Sequence, residues 1–408
     1  MAHITMLIQK LKGGGAERSV FRTAGGLAGR GHDVDIVLFS PTFVYPGELP
    51  RTARLIVLCG RFGWIRRTRS DVPQETLWRP WLASPFRLAR FAAGLFREFG
   101  ASARVLMRPA SLGHALRLAR YFERERPDIV FANLASAEYA AFFAARLVSS
   151  PPPIIPILRG ADDPGAKSTR RRRLLFPMAA RLVAVSRGVS ENIAAIVDVS
   201  SEVGIVTIYN PAFAPEITRH AEAAPDHPWF RDGGPPVVLG VGRLTPQKDF
   251  PTLIEAFRRV IVEHPCRLLI LGEGFDRAEL ESRIRALGLE DRVSLPGWAD
   301  NPWAFMARAA LFVVSSRYEG LSNVLVEALT CGCPAVSTDC AGSSEILDDP
   351  DLLAPMGDPE RLAKAMLRAL ARPADRSALR GLAARFSLER TVDGYDELIA
   401  AVLAQAKA

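Results

Sequence analysis

Cysteine is scarce and badly placed in this 408-residue chain. Of five cysteines only Cys331 and Cys333 stand close together, which gives neither a disulfide framework nor a four-ligand zinc pattern, so the thiols read as small buried hydrophobes. No run of eighteen apolar residues occurs, which excludes a conventional membrane-spanning helix. A secretory leader is not expected either: Ile4 to Gln9 reads as a short buried strand running into a glycine-rich turn, and a cytoplasmic location is expected. A dinucleotide fingerprint is absent too. The first loop reads Gly13-Gly14-Gly15-Ala16-Glu17-Arg18 with no third glycine in place, and the second strand ends Leu38-Phe39-Ser40 without an acidic residue, which argues against a nicotinamide-dependent oxidoreductase.

What is present is ordinary globular composition, 49% apolar and 24% charged, so wholesale disorder is not expected. The length suits two domains of roughly 200 residues each. The net charge of +8 divides unevenly: residues 1–210 hold 30 Lys/Arg against 16 Asp/Glu, or +14, leaving 22 against 28, or −6, for the remainder. A basic first half suits nucleic acid, an anionic membrane surface or a phosphorylated acceptor.

The strand Ile4 to Gln9, a helix from Ala16 to Ala28 and a second apolar run from Val34 to Phe39 form a β-loop-α-β unit. Further strands are expected at Ile129 to Ala132, Ile154 to Leu158 and Leu182 to Val185. Strands alternating with helices imply a parallel sheet covered on both faces. Two amphipathic helices fall in the looser region 41–126: one places Leu88, Phe91, Ala92, Leu95, Phe96 and Phe99 opposite Arg87, Arg90 and Arg97, the other places Leu112, Ala115, Leu116, Ala119 and Phe122 opposite Arg117, Arg120 and Arg124. Such faces fit packing on the sheet or contact with a membrane interface. The turn-rich stretch 211–236 reads as a linker. After it come strands at Val237 to Val241, Arg267 to Leu271, Val293 to Leu295, Leu311 to Val314 and Ala335 to Thr338, with helices at Phe250 to Val262, Ala278 to Leu287 and Asn323 to Thr330. The domains expected are thus 1–210, a linker at 211–236, 237–388, and a last helix at 389–408 with room to return to the first domain.

Chemistry concentrates in the second half. After its first strand, Gly242-Arg243-Leu244-Thr245-Pro246-Gln247-Lys248 brings two cations to a strand end, where open α/β sheets bind ligands. Together they suit a diphosphate, neutralising it and stabilising it as a leaving group. Gly272-Glu273-Gly274 and Gly297-Trp298 follow the next two strands and suit the border of a flat base. Glu319 and Glu327 lie eight residues apart around a helix start, with Ser322 as its expected N-cap and the N–H groups near Asn323, Val324 and Leu325 available to an anion. In the first half, the Gly13–Gly15 turn feeds a helix N-terminus suited to a phosphate or sugar hydroxyl. The lone His114 reads as structural or solvated, and the run Arg170 to Arg173 as a solvated basic face or a contact for a pyrophosphate-linked lipid.

In these residues the chain resembles glycosyltransferase family 4, retaining enzymes of the GT-B fold: Gly14-Gly15-Ala16-Glu17, Asn210-Pro211, Val241-Gly242-Arg243 with Lys248, Leu271-Gly272-Glu273-Gly274, and Glu319 to Glu327 as an E-x7-E motif, in that order. The resemblance implies an α/β protein of two Rossmann-like domains facing each other across a cleft. It implies Arg243 and Lys248 on the donor diphosphate, Glu319 against the transferred sugar and Glu327 on the ribose. It further implies donor contacts from Gly320, Leu321, Ser322, Asn323 and Val324, and a base slot near Gly274 and Trp298. Gly14 and Gly15 would approach the phosphate or acceptor from the other domain. Retention would follow front-face attack without a protein nucleophile. No metal or other cofactor is implied, and no Asp-x-Asp metal pair stands in a suitable loop; Asp162-Asp163 and Asp348-Asp349 are adjacent and read as turn residues. One departure stands out: many relatives carry a histidine where this chain has Asn133, which joins Arg159 as a candidate acceptor contact.

The expected function is transfer of a hexose or N-acetylhexosamine from a UDP-sugar to a lipid-linked or cell-surface glycan precursor, with peripheral contact to the inner membrane face. The alternatives are transfer to a small soluble acceptor and a catalytically silent sugar-nucleotide binder. Nucleic-acid binding rests on the basic charge alone, without a recognisable motif, and is not expected.

Overall fold

The computed structural model describes residues 1–9, 14–40, 50, 52–58, 65–67, 75–76, 109–161, 165–198, 203–231 and 233–406. Gly13, the helix expected from Leu88 to Phe99, and Asp162-Asp163 lie outside them. The chain divides into two compact units: one comprises Met1–Val185, Val189–Ile208 and Thr391–Ala408, the other Ser186–Gly188 and Tyr209–Arg390.

The first unit is built on β1 (His3–Ile8), β2 (Asp33–Leu38), β3 (Arg54–Val57), β4 (Ile65–Arg67), β5 (Glu75–Thr76), β6 (Ile129–Asn133), β7 (Ile154–Leu158), β8 (Leu182–Ala184) and β9 (Ile205–Thr207). Among the described residues they form one sheet in the order β5-β4-β3-β2-β1-β6-β7-β8-β9. Pairing is parallel from β3 to β9, with β4 and β5 added antiparallel at one edge. The apolar runs of β1 and β6 are buried throughout, apart from half-buried His3, as strands covered on both faces must be.

Helix Pro109–Glu125 buries Ala115, Leu118, Ala119, Tyr121 and Phe122 and packs against helix Ala135–Ala145. Contact with the expected sheet is made by Tyr121, whose hydroxyl bonds to Asp35 of β2 and Thr5 of β1. Leu112, assigned to the apolar face, is instead exposed, because the buried stripe runs through Leu118 and Tyr121. The Arg170–Arg173 run is not uniformly solvated either. Arg172 is buried in a two-pronged pair with Glu138, Nε to Oε2 at 2.9 Å and Nη2 to Oε1 at 2.7 Å, and Arg173 Nε donates to the Ile196 carbonyl.

A polar cluster is buried near the N-terminal ends of the central strands. Asp35 of β2 is fully buried and accepts from Arg54 Nε, His3 Nε2 at 2.9 Å and the Tyr121 hydroxyl at 2.6 Å, which is also bonded to Thr5 Oγ1 at 2.8 Å. Burial pushes the Asp35 carboxyl upward, but hydrogen bonds from His3, Arg54 and Tyr121 outweigh it and hold the group below its ordinary range. Burial opposes protonation of His3, yet the hydrogen bond and charge of Asp35 raise it.

The second unit carries β10 (Val237–Val241), β11 (Arg267–Leu271), β12 (Val293–Gly297), β13 (Leu311–Val314), β14 (Ala335–Thr338) and β15 (Leu353–Ala354), all parallel, in the order β12-β11-β10-β13-β14-β15. This is the doubly wound order, with its reversal between β10 and β13. Its helices start where side chains demand. Asp358 accepts from the N–H groups of Glu360 and Arg361 with Pro359 in the first turn of helix Pro359–Ala371, and Asp375 caps Arg376–Ala384 in the same way. Phe250, Leu253, Ile254 and Phe257 of helix Phe250–Glu263 and Leu362 and Met366 of Pro359–Ala371 fill the core against Leu268, Ile270 and Val313. The stretch 211–236, expected as a linker, folds with this unit: it contains helix Pro215–Ala221 and the turn Pro228–Phe230, whose Trp229 takes the Arg267 guanidinium over its ring. No helix among the described residues is long and apolar enough to cross a membrane.

Replacing Asp35 by Asn removes the charge that Arg54 and His3 share, and should cost about 3–5 kcal/mol of stability. The Asp35 contribution is present above its unfolded value of about 4 and is lost as pH falls through its depressed folded value. That of His3 is complete below about 6.5 and is lost as pH rises through its raised folded value. Urea unfolding across pH should therefore show maximal stabilisation from this cluster between those limits, and Asp35→Asn should flatten both slopes.

Candidate active site

The loops leaving the C-terminal ends of β10 to β13 lie side by side. Gly242 N donates to the Leu271 carbonyl at 3.0 Å, Leu244 N to Glu273 at 2.9 Å and Gly272 N to Gly297 at 2.8 Å. Such an approach leaves no room for side chains: a Cβ on Gly272, whose φ is +145°, would lie 1.9 Å from the Gly242 carbonyl oxygen, and one on Gly274 2.1 Å from that of Leu244. The glycines read from the sequence as accommodating a flat ligand are thus required by loop-on-loop packing. Beyond them Phe275 and Trp298 project as exposed aromatics, Trp298 with its Nε1 on Asp300 at 3.0 Å.

At the reversal between β10 and β13 the expected charges come together. Lys248 Nζ lies 2.5 Å from Glu319 Oε1, which also accepts from Ser316 Oγ at 2.8 Å; the Glu319 residue is 9% exposed. The lysine's backbone is held as well, its carbonyl accepting from Ser315 Oγ at 2.8 Å. Asp249, left-handed at φ 46°, gathers Arg317 Nε and Thr252 Oγ1 and fixes the loop's exit into helix Phe250–Glu263. Arg243 is exposed, and no carboxylate among the described residues pairs with it.

The strand β13 then leads through Gly320 and Leu321, both buried, to helix Asn323–Thr330. Ser322 occupies the N-cap position but does not cap: its hydroxyl makes no hydrogen bond to the helix N–H groups and, at 1% exposure, is buried without any partner. Asn323 and Val324 are half-buried, with Asn323 Oδ1 bonded to Asn210 Nδ2 at 3.1 Å. One turn in, Glu327 is buried and accepts from Trp303 Nε1 at 3.0 Å.

Sequence reading missed a further buried carboxylate. Glu345 receives the N–H groups of Arg187 and Gly188 at 2.9 and 3.0 Å and the Tyr209 hydroxyl at 2.7 Å; burial, then Glu345 itself, pushes Tyr209 up to about 12. Next to it Ser186 Oγ donates to the Gly320 carbonyl at 2.8 Å, so Ser186–Gly188 braces the loop between Glu319 and Glu327. No local pattern marks these partners, because 134 residues separate Ser186 from Gly320.

In the first unit the strand order reverses between β1 and β6. Gly14 and Gly15 begin helix Gly15–Gly29, and Gly14 N is occupied by Glu17 Oε2 at 2.5 Å. Asn133 ends β6 fully buried, its Nδ2 directed at the Leu7 and Phe131 carbonyls and its Oδ1 accepting both Nε and Nη2 of Arg159, at 3.0 and 2.7 Å. The two candidate acceptor residues are therefore joined, with Asn133 the buried anchor and Arg159 the half-buried group. Burial lowers the Arg159 pKa. Leu134, directly after, has φ 72°, a strained value for a branched residue. His114 stacks on Phe39 at 4.4 Å.

The sequence matches the family model "Glycosyltransferase Family 4" over residues 13–212 and "Glycosyl transferases group 1" over 235–372. The chain belongs to glycosyltransferase family 4. Among curated relatives of this family-4 chain, the lipopolysaccharide core biosynthesis glycosyltransferase LpsE of Rhizobium meliloti is 37% identical over 172 residues, 40% of this chain and 50% of that protein. A Campylobacter jejuni N-acetylgalactosaminyltransferase acting on a diphospho-undecaprenol-linked saccharide is 42% identical over 113 residues, 28% of this chain and 30% of that one. The matched stretches thus span half or less of those relatives. Two solved structures share the fold over nearly the whole chain. Anabaena HepE with UDP and glucose has TM-score 0.69 at 18% identity, covering 98% of this chain and 100% of that one. The lipopolysaccharide outer core galactosyltransferase WaaB has TM-score 0.66 at 19% identity, covering 98% and 99%. The fold is GT-B, with two Rossmann-like domains.

Gly272→Ala should destabilise the second unit by more than the about 1–3 kcal/mol of φ strain alone, since the Gly242 carbonyl must also move. Gly288→Ala has the same kind of strain, φ +65°, but open space around the new methyl, and is the control; calorimetric unfolding should separate the two.

Proposed function

We propose that the chain is a retaining glycosyltransferase that moves a hexose or N-acetylhexosamine from a UDP-sugar to a lipid-linked or cell-surface glycan precursor. The observation that carries this is the combination at the β10/β13 reversal: an exposed Arg243 that no carboxylate among the described residues pairs with, a Lys248–Glu319 pair, and the Ser322 hydroxyl, without a partner among the described residues, at the start of helix Asn323–Thr330. Two cations, a helix N-terminus and an unused hydroxyl form a receptor for a diphosphate.

In this reading the diphosphate draws Lys248 into a shared position between Glu319 and phosphate, while Arg243 closes on it from solvent. Glu319 keeps one oxygen on Lys248 and Ser316 and offers the other to hydroxyls of the transferred sugar. Glu327 takes the ribose, and the loops bearing Gly274 and Trp298 take the base. The acceptor hydroxyl oxygen bonds to the anomeric carbon on the face from which the phosphate departs. The carbon–oxygen bond to the diphosphate breaks with its electron pair going to the phosphate oxygen, which receives the hydroxyl proton. Arg243, Lys248 and the helix N-terminus stabilise that developing charge, so the step needs no metal. Arg159, held by Asn133, is assigned to the acceptor, and Gly14 and Gly15 to the donor phosphate or the acceptor. The naming of relatives for lipopolysaccharide core assembly and a diphospho-undecaprenol acceptor supports the acceptor class, and UDP in HepE supports the nucleotide. Such an acceptor puts the reaction at the inner face of the membrane.

The test is UDP or GDP release from a panel of nucleotide sugars, with a membrane-lipid extract as acceptor. One donor should turn over, and Lys248→Ala, Arg243→Ala and Glu327→Ala should each lower kcat/KM by about two orders of magnitude or more. Turnover only with small soluble acceptors would move the acceptor assignment; no turnover, with no thermal stabilisation by any sugar nucleotide, would overturn the reading.

A further inference from the structure

Trp303 lies on the short helix Pro302–Met306, a segment to which the sequence assigns no chemistry. A buried indole N–H needs an acceptor, and a backbone carbonyl would serve. Here it is spent on the buried Glu327 carboxylate, Nε1 to Oε2 at 3.0 Å. The indole itself is fixed from behind. His220 packs on its ring with centroids 5.4 Å apart, Asn301 Nδ2 donates to the His220 carbonyl at 2.8 Å, and Arg308 donates to the carbonyls of Ala221 and Glu222, both at 3.0 Å. Helix Pro302–Met306 is thus fastened to helix Pro215–Ala221, and the hydrogen bond to Glu327 issues from a rigid mount.

We propose that Trp303 is a positioning residue that sets the ribose selectivity of the nucleotide site by locking the plane of the Glu327 carboxylate. This rests on the donor-site reading above and deepens it. A freely rotating carboxylate accepts a single hydroxyl in many orientations. One whose Oε2 is held by a fixed donor meets a vicinal diol in one orientation, and so distinguishes a ribose from a sugar lacking one of the two hydroxyls. The donor is neutral, so it orients the carboxylate without placing a charge beside it.

The experiment is titration of the full chain with UDP and with 2′-deoxy-UDP, in the unaltered protein and in Trp303→Phe, Glu327→Gln and the double variant. The unaltered protein should favour UDP by at least about tenfold, the worth of a hydrogen bond to a charged group. In Trp303→Phe that ratio should fall toward one through weaker UDP binding, with KM for the donor raised and kcat at saturation little changed. In the Glu327→Gln background the same substitution should leave the ratio unmoved, because Trp303 acts through Glu327. A Trp303→Phe protein that retains the full ratio overturns the inference, as does an equal effect of the substitution in both backgrounds. Should Trp303→Phe fail to fold, Trp303→His, which keeps a ring N–H, must preserve a ratio above one or the inference fails. Absence of UDP binding by the unaltered protein would overturn the donor-site reading and this inference with it; UDP binding with unchanged selectivity in Trp303→Phe would overturn this inference alone.

Discussion

The candidate charges for a diphosphate, Arg243, Lys248 and Glu319, depend on the reversal of strand order between β10 and β13 in the second unit. Parallel strands deliver all their exits to one edge, and at a reversal the successive connections depart to opposite faces, leaving a crevice that neither fills. Arg243 and Lys248 stand on one side of that crevice and Glu319 to Val324 on the other, and the Lys248–Glu319 pair joins the two sides. The glycine contacts among the β10, β11 and β12 loops follow from the same constraint, because exits crowded along one edge stack without side chains between them. The site is a property of topology, with the side chains chosen to suit it.

That explains why so much of the second unit was legible. Apolar runs such as Val237–Val241 and Leu311–Val314 are complete strands, and each chemically conspicuous segment directly follows one. Strands outside the clear alternation of strand and helix were not legible: Arg54–Val57 lies in the looser region 41–126, and Ile205–Thr207 has no fully buried position. The stretch 211–236 has the proline and glycine content of a connector, yet its few apolar residues suffice to fold it onto the unit. Side-chain partners separated by more than a hundred residues, such as Ser186 with Gly320 or Glu345 with Arg187, leave no periodic trace. Ser322 shows the opposite limit: residue type and position both indicated a cap, but the hydroxyl does not bond to the helix.

Charge counting is similarly partial. The excess of +14 over residues 1–210 includes Arg172, buried against Glu138, and Arg54, engaged with Asp35, so formal charge overstates what a partner meets. In the site the distinction runs the other way. Lys248 and Arg243 are equal in a tally, yet one is tied to a carboxylate and the other stands in solvent.

The segment Ser186–Gly188 belongs to the second unit although the chain on both sides belongs to the first. With the crossings at Ile208 and Arg390, the polypeptide passes from one unit to the other four times. Neither unit is therefore a contiguous module that gene shuffling could exchange by cutting at one point. A fragment beginning at Tyr209 would strip Glu345 of two backbone donors and Gly320 of its serine, leaving a buried anion poorly satisfied beside a loosened loop. Inheritance of the braced loop between Glu319 and Glu327 is thereby tied to a tripeptide encoded within the other half of the gene.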